Sequence, residues 1–215
     1  MAYLVYLPIL LLGYLLGTSN MAVYLAALKG DDLRAHGSGN PGASNAMLLW
    51  GWKAGILVAV HDIGKAVLAV YLARCLFPEA AFAGVVAGVA CVIGHMFPFY
   101  LHFRGGKGFA SYYGMALALN WKFALGLAVA VLLITLITDY IVLGTMTTVV
   151  SFPAYCALTH NVVMALILCV ASIFIIIKHR GNLVRIAKGT EIGLRSANHS
   201  EETALVYAVI VKTED

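Results

Sequence analysis

Long apolar runs separated by short polar stretches dominate the chain and predict a bundle of membrane-spanning helices. A helix needs about 20 residues to cross the hydrocarbon core at a rise of about 1.5 Å per residue. Seven runs are candidates: Tyr3–Leu28, Leu48–Leu76, Ala80–Pro98, Phe109–Asn120, Phe123–Thr138, Tyr140–Leu158 and Val162–Ile177. The fourth is short, and predicts either a half-helix or a steep crossing that includes Trp121. The pattern therefore predicts an all-α integral membrane protein with about seven transmembrane helices.

Composition supports this class. Of the 215 residues, 62% are hydrophobic and 11% are charged, whereas soluble domains average roughly 45–50% apolar and about 25% charged residues. The net charge of +4 is small and lies in a few loops, which indicates membrane orientation and anionic ligands and argues against a nucleic-acid surface. All four cysteines fall in apolar runs without CxxC spacing, as is typical of small core residues: Cys75, Cys91, Cys156 and Cys169.

The distribution of basic residues predicts the orientation. Basic loops follow the first, third and seventh runs, and they contain Lys29, Arg34, Arg104, Lys107, Lys178, Arg180, Arg185 and Lys188. Because cytoplasmic loops carry the excess of lysine and arginine, the N-terminus is predicted outside and the C-terminus in the cytoplasm. We interpret the first run as a retained span and not as a cleaved signal. Residues 1–191 are predicted to form the membrane domain, and residues 192–215 a cytoplasmic tail of unassigned role.

This topology places four polar, glycine-bearing stretches on the cytoplasmic side: Gly37–Asn45, Gly94–Gly108, Thr138–Thr145 and His179–Glu191. Irregular backbone at membrane depth survives only where it is buried in protein or lines a wet cavity. The four stretches are therefore expected to converge on one site.

Two of these stretches have the composition of anion-binding loops. The second ends in Gly105, Gly106, Lys107 and Gly108, directly before a predicted helix, where first-turn N–H groups and a lysine form an anion cradle. Taken alone, that tetrapeptide is more typical of an ordinary basic loop. The first stretch offers small and polar groups suited to a phosphate, although a flexible loop is the alternative: Ser38, Gly39, Asn40, Ser44 and Asn45.

The remaining polar residues leave two interpretations open. His179, Arg180 and Asn182 lie where a histidine can accept a hydroxyl proton, yet basic residues there also complement a helix C-terminus and anionic lipid. Asp62 and Lys65 lie three residues apart inside the second run. They are either a structural ion pair or a functional one, and the sequence favours neither.

Several chemistries lack their motifs. The chain has no G-x-x-x-x-G-K-[ST] loop, no G-x-S-x-G elbow, no aspartate five residues after a histidine, and no cluster with zinc spacing. Neither a metal nor a cofactor is expected.

The three long stretches together resemble one family, the bacterial acyl-phosphate:glycerol-3-phosphate acyltransferases (PlsY). Residues 38–45 (SGNPGASN) resemble the family's first motif and Gly94–Gly108 its second, with Tyr100 where phenylalanine is usual. His179–Glu191 resembles the third motif, and residues 62–66 (DIGKA) resemble its D-x-x-K-G element. The resemblance covers about residues 10–191, in the same order.

The resemblance implies transfer of a fatty acyl group from acyl phosphate to the 1-hydroxyl of glycerol 3-phosphate, at the cytoplasmic face of a bacterial cell membrane. It implies a monomer embedded in the lipid bilayer that binds no nucleic acid. Lys107, His179 and Asn182 become the catalytic candidates. The substrate-binding candidates are Ser38, Gly39, Asn40, Ser44, Asn45, His95, Gly105, Gly106, Gly108, Thr145 and Arg180. Since an acyl phosphate is already activated, the implied mechanism is direct attack by the glycerol hydroxyl.

Three departures from the family pattern keep alternatives open. Leu48 occupies the place of a usual arginine, Val142 removes a hydroxyl, and Asp139 adds a negative charge. They favour either a different acceptor or a relative that binds lipid or phosphate without turnover, and Arg34, Arg104 or Arg180 are candidate replacements for the arginine. A small transporter that uses Asp62 and Lys65 is a third hypothesis, but the inverted repeats it predicts are not evident.

Overall fold

The computed structural model describes residues 2–193 and residue 195, and within them all regular structure is helical. The α-helices are α1 (Tyr6–Thr18), α2 (Met21–Lys29), α3 (Ala43–Trp50), α4 (Trp52–Leu76), α5 (Ala83–Met96), α6 (Phe109–Leu119), α7 (Trp121–Thr138), α8 (Ile141–Leu158), α9 (Val162–Lys178) and α10 (Arg180–Lys188). Short 3-10 helices occur at Ala2–Val5, Leu33–Ala35 and Phe99–Leu101. Each of the seven apolar runs is therefore largely helical, and the all-α membrane class is confirmed.

Five helical segments are long and apolar enough to cross a membrane: Tyr3–Lys29, Trp52–Leu76, Ala83–Leu101, Trp121–Thr138 and Ile141–Leu158. A sixth results if α9 and α10 form one span, although they meet at an angle of 48°. Helix α6 has 11 residues and is the short apolar helix that the sequence predicted. The count of seven crossings and the orientation of the termini remain predictions.

The first run forms one candidate span, Tyr3–Lys29, but its helix is interrupted at Ser19 and Asn20, where the Asn20 side chain caps α2 by accepting from the Val23 N–H at 3.2 Å. The expected start of the second run at Leu48 was wrong. Residues 48–50 belong to α3, and Gly51, with a φ of 83°, separates α3 from α4.

Glycines bring α1 and α5 into close contact. A Cβ atom added to Gly13 or Gly17 of α1 would overlap backbone atoms of α5, and one added to Gly94 of α5 would overlap the carbonyl of Tyr14. Small residues of this kind let helix backbones approach closely inside a membrane, where the hydrophobic effect does not drive association. The C-terminal ends of α1 and α5 are therefore held together.

The main core lies between α4, α5, α6, α8 and α9, and its largest fully buried side chains include Tyr112, Met115, Phe152, Leu168 and Ile175. Ser172 Oγ donates to Val149 O at 2.8 Å and lies 3.1 Å from the Tyr112 hydroxyl, whereas the buried Ser111 Oγ has no hydrogen-bond partner among the described residues. Only 17% of the α7 span is buried, which places α7 at the periphery, where lipid would contact it.

The predicted tail lies mostly outside the described residues. Of residues 192–215, the structure describes only Ile192, Gly193 and Arg195. The Arg195 N–H donates to Asp139 Oδ1 at 3.0 Å, and the Arg195 guanidinium donates to Leu136 O. Asp139, one of the three departures from the family pattern, thus holds the start of the tail against the α7–α8 connection.

Candidate active site

The site is built around the break between α1 and α2. A helix that ends inside the membrane leaves carbonyl groups without intrahelical partners. Here the Tyr100 hydroxyl donates to Thr18 O at 2.7 Å, and the Lys65 ammonium donates to Ser19 O at 2.6 Å. The hydroxyl that distinguishes Tyr100 from the usual phenylalanine therefore satisfies a carbonyl, and it ties the second glycine-bearing stretch to the break.

Two asparagines fix the first stretch. Asn20 Nδ2 donates to Pro41 O at 3.2 Å, which fastens the stretch to the start of α2. Asn45 is buried: its Nδ2 donates to Leu33 O at 3.1 Å and to His36 O at 3.2 Å, and its Oδ1 accepts from the Ser38 N–H at 3.0 Å. The hydrogen bonds of Asn45 thus go to loop backbone, and its contribution is to the shape of the loop.

The other polar side chains of this stretch remain available. Ser38 and Asn40 are half-buried and Ser44 is exposed. Within the described part of the chain, their hydroxyl and amide groups make no hydrogen bonds. Gly39 has a φ of 65°, in the left-handed region that favours glycine. These groups can therefore bind a ligand without breaking existing contacts.

The sequence predicted that the N–H groups of Gly105 and Gly106 face an anion, but the structure uses these groups differently. The Gly105 N–H donates to Met96 O at 3.0 Å, and the Gly106 N–H donates to His95 O at 3.2 Å, so both N–H groups are used inside the protein. A side chain on either glycine would overlap the carbonyl or the ring of His95. Glycine is therefore needed here for close packing, not for N–H groups that face an anion.

The N–H groups that are free to bind an anion belong to the next two residues, Lys107 and Gly108. Gly108, with a φ of 90°, is the N-cap of α6. The Lys107 and Gly108 N–H groups have no acceptor among the described residues, and the first-turn N–H groups of α6 follow them. A helix N-terminus with free N–H groups and an adjacent lysine favours an anion.

Lys107 joins the second stretch to the third. Its Nζ donates to Asn182 Oδ1 at 2.5 Å, and Asn182 Nδ2 donates to Glu191 Oε1 at 2.6 Å. The other oxygen of Glu191 accepts from Arg185 Nε at 2.7 Å. Asn182 and Arg185 are both buried. Because the carboxylate fixes the amide, Asn182 presents its oxygen to the lysine.

The electrostatic environment lowers the pKa of Lys107 to about 8. Burial is the main cause, because removing the ammonium from water disfavours its charged form, and the positive charge of Arg185 adds to the effect. Glu191 acts in the opposite direction, and Lys178 lowers the pKa further. A bound phosphate would supply the negative charge that this group of cations lacks.

His179 occupies the junction of α9 and α10 and is 5% exposed. Its Nδ1 lies 2.8 Å from Ile175 O, and because a carbonyl only accepts, Nδ1 carries the proton. In the neutral ring Nε2 is then an acceptor, the state that a general base requires. The neighbouring Arg180 is exposed.

The sequence also suggested Thr145 and Arg34 as substrate contacts, but the polar groups of both are engaged elsewhere in the protein. Thr145 is buried in α8, and its hydroxyl donates to Ile141 O of the same helix at 3.2 Å. Val142 is also buried. Arg34 is occupied by Asp32, with Nε at 3.1 Å and Nη2 at 3.2 Å from the carboxylate oxygens. Substrate contacts by Thr145 and Arg34 gain no support from this geometry.

Three residues shape the site without having been site candidates in the sequence: Asn20 was not singled out, Tyr100 was noted only as a departure from the family pattern, and Glu191 only as the end of the third stretch. The three helix-capping residues Thr18, Ser19 and Asn20 inside an apolar run were a usable signal for the break. The partners of Tyr100 and Glu191 lie elsewhere in the chain, and no local pattern indicates them.

Comparisons with known proteins identify the family of the chain. The sequence profile of the family "Glycerol-3-phosphate acyltransferase" matches residues 7–189. A glycerol-3-phosphate acyltransferase of Jannaschia sp. (strain CCS1) is 40% identical over 183 residues, covering 84% of this chain and 89% of that protein. One of Legionella pneumophila (strain Lens) is 36% identical over 193 residues, covering 89% of this chain and 69% of that protein.

Solved structures give the same result. The crystal structure of PlsY (YgiH), an integral membrane glycerol 3-phosphate acyltransferase, in its glycerol 3-phosphate form superposes with a TM-score of 0.82 at 33% identity, covering 88% of this chain and 95% of that chain. The lysophosphatidic acid form superposes with a TM-score of 0.80 at 31% identity, covering 89% and 96%.

Proposed function

The chain belongs to the glycerol-3-phosphate acyltransferase family, and from this premise we propose that it acylates glycerol 3-phosphate. The donor is an acyl phosphate, the acceptor is the 1-hydroxyl of glycerol 3-phosphate, and the products are lysophosphatidic acid and phosphate. The names of its relatives and the glycerol 3-phosphate form of a similar structure support the acceptor. The intact second motif supports the donor.

One observation carries the proposal: Lys107 Nζ lies 2.5 Å from Asn182 Oδ1. This contact joins two motifs that are 75 residues apart, and it places a half-buried cation beside a helix N-terminus and in contact with the third stretch. Such a site suits a phosphorylated substrate.

The reaction needs no protein nucleophile, because the acyl phosphate is already activated. In the proposed mechanism the glycerol hydroxyl attacks the acyl carbon, and the bond to the phosphate oxygen breaks. The hydroxyl proton passes to His179 Nε2 or to a phosphate oxygen. Lys107 and the N–H groups at the start of α6 stabilise the charge that builds up on the phosphate and carbonyl oxygens. Ser38, Asn40 and Ser44 supply further hydrogen bonds.

The setting of this reaction is part of the proposal. The enzyme crosses a bacterial cell membrane seven times as a monomer, with its N-terminus outside, its C-terminus in the cytoplasm and its site facing the cytoplasm. The basic loops at Lys29, Arg104 and Lys178 support this orientation. The seven crossings include the short α6 and treat α10 as an amphipathic helix at the membrane surface.

A second candidate function is binding of lipid or phosphate without turnover, or transfer to another acceptor. Leu48 favours it, because this side chain lies beside Gly37 in the first stretch and offers no charge, while Arg34 is held by Asp32. Losing an arginine–phosphate pair weakens binding of a phosphorylated acceptor.

The decisive experiment measures acyl transfer from palmitoyl phosphate to labelled glycerol 3-phosphate by the purified protein in lipid. Lys107→Ala is expected to lower kcat/KM about 100-fold or more, since it removes a charged group from a site where charge develops. Lys122→Ala is the matched control, because Lys122 is exposed and lies over Trp121; it should retain parental activity.

Equal activity of Lys107→Ala and Lys122→Ala would contradict the proposed site. Absence of lysophosphatidic acid from the parent, together with saturable binding of palmitoyl phosphate, would contradict the acceptor and favour the second candidate.

A further inference from the structure

A cluster of charged and polar side chains lies inside the helices, directly beneath the Gly105–Gly108 segment. Asp62 and Lys65 come from α4, and His95 comes from the end of α5; they are 2%, 7% and 4% exposed. The proposed reaction assigns no role to Asp62 or Lys65. Burying ions is costly unless each is paired, so the partners of each group in this cluster define what it does.

The contacts of Lys65 fix the state of His95. Lys65 Nζ lies 2.6 Å from Ser19 O and 2.8 Å from His95 Nδ1, both with hydrogen-bond geometry. An ammonium group has three donors and no acceptor, so Nδ1 accepts in this contact. Asp62 Oδ1 lies 2.8 Å from the same Nζ and balances its charge, although this ion pair is not aligned as a hydrogen bond.

The position of Asp62 does not change the conclusion that Nδ1 of His95 accepts a hydrogen bond from Lys65. Its Oδ1 is 3.4 Å from His95 Nδ1, further than the ammonium is. Two further titratable groups face the cluster. The buried Cys91 interacts electrostatically with Lys65 and Asp62, and His61 lies with its Nδ1 3.5 Å from Asp62 and its Nε2 2.9 Å from Ser19 Oγ. Since Nδ1 of His95 accepts from lysine, the single proton of the neutral ring lies on Nε2.

That nitrogen faces the loop. A side chain on Gly106 would overlap His95 Nε2, so only glycine leaves this edge of the ring uncovered. No acceptor for Nε2 is present among residues 2–193 and 195. His95 is therefore a buried side chain with one unused donor, directed at the segment that precedes the anion-binding start of α6.

We propose that Lys65 is a positioning residue that holds His95 as the neutral Nε2–H tautomer, so that Nε2 donates a hydrogen bond past Gly106 to a phosphate oxygen of the bound substrate. The identity of this oxygen rests on the proposed acyl transfer. The tautomer itself does not, because it follows from contacts inside the free protein. Asp62 supplies the counter-charge that keeps the ammonium in the membrane interior.

The tautomer is tested by ¹⁵N NMR of the histidine side chains in the full-length protein in lipid without substrate, with His95 assigned by its loss in His95→Gln. The parent should show a protonated Nε2 and an unprotonated Nδ1. Lys65→Met should abolish this preference, because Nδ1 is then free to donate to Asp62. Lys53→Met, at the exposed start of the same helix, should leave the His95 signals unchanged.

Leaving Asp62 unpaired endangers folding, so Asp62→Asn combined with Lys65→Met is the second variant. It removes both charges and should also lose the Nε2–H preference. A His95 with its proton on Nδ1 or on both nitrogens in the parent, or an unchanged tautomer in both Lys65 variants, overturns the proposal whether or not the protein transfers acyl groups.

The substrate contact is tested by kinetics with palmitoyl phosphate. Glutamine places an amide N–H near the position of Nε2, whereas asparagine places it near Nδ1. We expect His95→Gln to retain at least about ten times the kcat/KM of His95→Asn, and Lys65→Met to lose about 10- to 100-fold relative to Lys53→Met. Equal losses for glutamine and asparagine overturn the donor role.

Discussion

At the scale of the residue, Lys107 combines three properties: it is half-buried, it contacts Asn182, and its pKa is about 8. A lowered lysine pKa means that the ammonium loses its proton on the alkaline side of pH 8, where an ordinary lysine stays charged. The positive charge of Lys107 is therefore present near neutral pH and absent well above pH 8.

The corresponding prediction concerns pH. We expect kcat/KM for palmitoyl phosphate to fall as pH rises through about 8, because the neutral amine binds phosphate weakly. Lys107→Arg is the informative variant, since a guanidinium stays protonated over this range. Initial rates between pH 6 and 10 should show the alkaline limb in the parent and not in Lys107→Arg; the same limb in both would assign it to another group.

The sequence proposed Lys107, His179 and Asn182 as catalytic candidates, because each lies in a long motif with a specific order of residues; the structure brings Lys107 and Asn182 into contact, and their catalytic roles stay a prediction. It did not indicate that the N–H groups of Gly105 and Gly106 donate to the carbonyls of Met96 and His95. A run of glycines shows that space is needed, but it does not show whether a ligand or the protein itself fills that space.

At the scale of the element, the contact between α1 and α5 positions two of the three motifs. Gly17 lies next to the break, and Gly94 immediately precedes His95. Both glycines face backbone atoms of the opposite helix, which cannot move aside as a flexible side chain would. Added volume in this interface would separate the helices.

We predict that Gly94→Ala lowers thermal stability and acyl-transfer activity together. Gly126→Ala is the matched control, because Gly126 lies in α7 with open space around it and alanine has the higher helix propensity by about 1 kcal/mol. Unfolding in detergent micelles should shift to lower temperature for Gly94→Ala only. Similar unfolding temperatures for the two variants would show that the close approach is not needed.

The hydrophobic runs in the sequence predicted where the helices lie, but they did not predict where the helices are interrupted. The break at Ser19 and the boundary at Gly51 both lie inside runs that hydrophobicity alone reads as one span; only the capping residues around Ser19 gave a local signal. The break is stabilised by Tyr100 and Lys65, which are 82 and 46 residues from their acceptors. A contact of that range is a property of the folded bundle and not of the local sequence.

At the scale of the whole molecule, the proposed orientation makes a labelling prediction. In a cysteine-free background, Arg104→Cys should be protected from a membrane-impermeant maleimide in intact cells and should react once the cells are opened. Asn161→Cys, between α8 and α9, should react in intact cells. The opposite pattern would invert the topology, and reaction of both positions in intact cells would contradict the count of crossings.

The interrupted first helix has a consequence for biosynthesis. Thr18 and Ser19 enter the membrane long before their partners exist, because Tyr100 is 82 residues downstream. At about 5–20 residues per second, the ribosome reaches Tyr100 about 4 to 16 s after Thr18. Ser19 O lacks its final donor until Lys65, 46 residues downstream, has been made, and Thr18 O lacks its donor for the whole interval, in a medium that penalises unpaired polar groups. The C-terminal end of α1 is thus completed only after α5 has been synthesised.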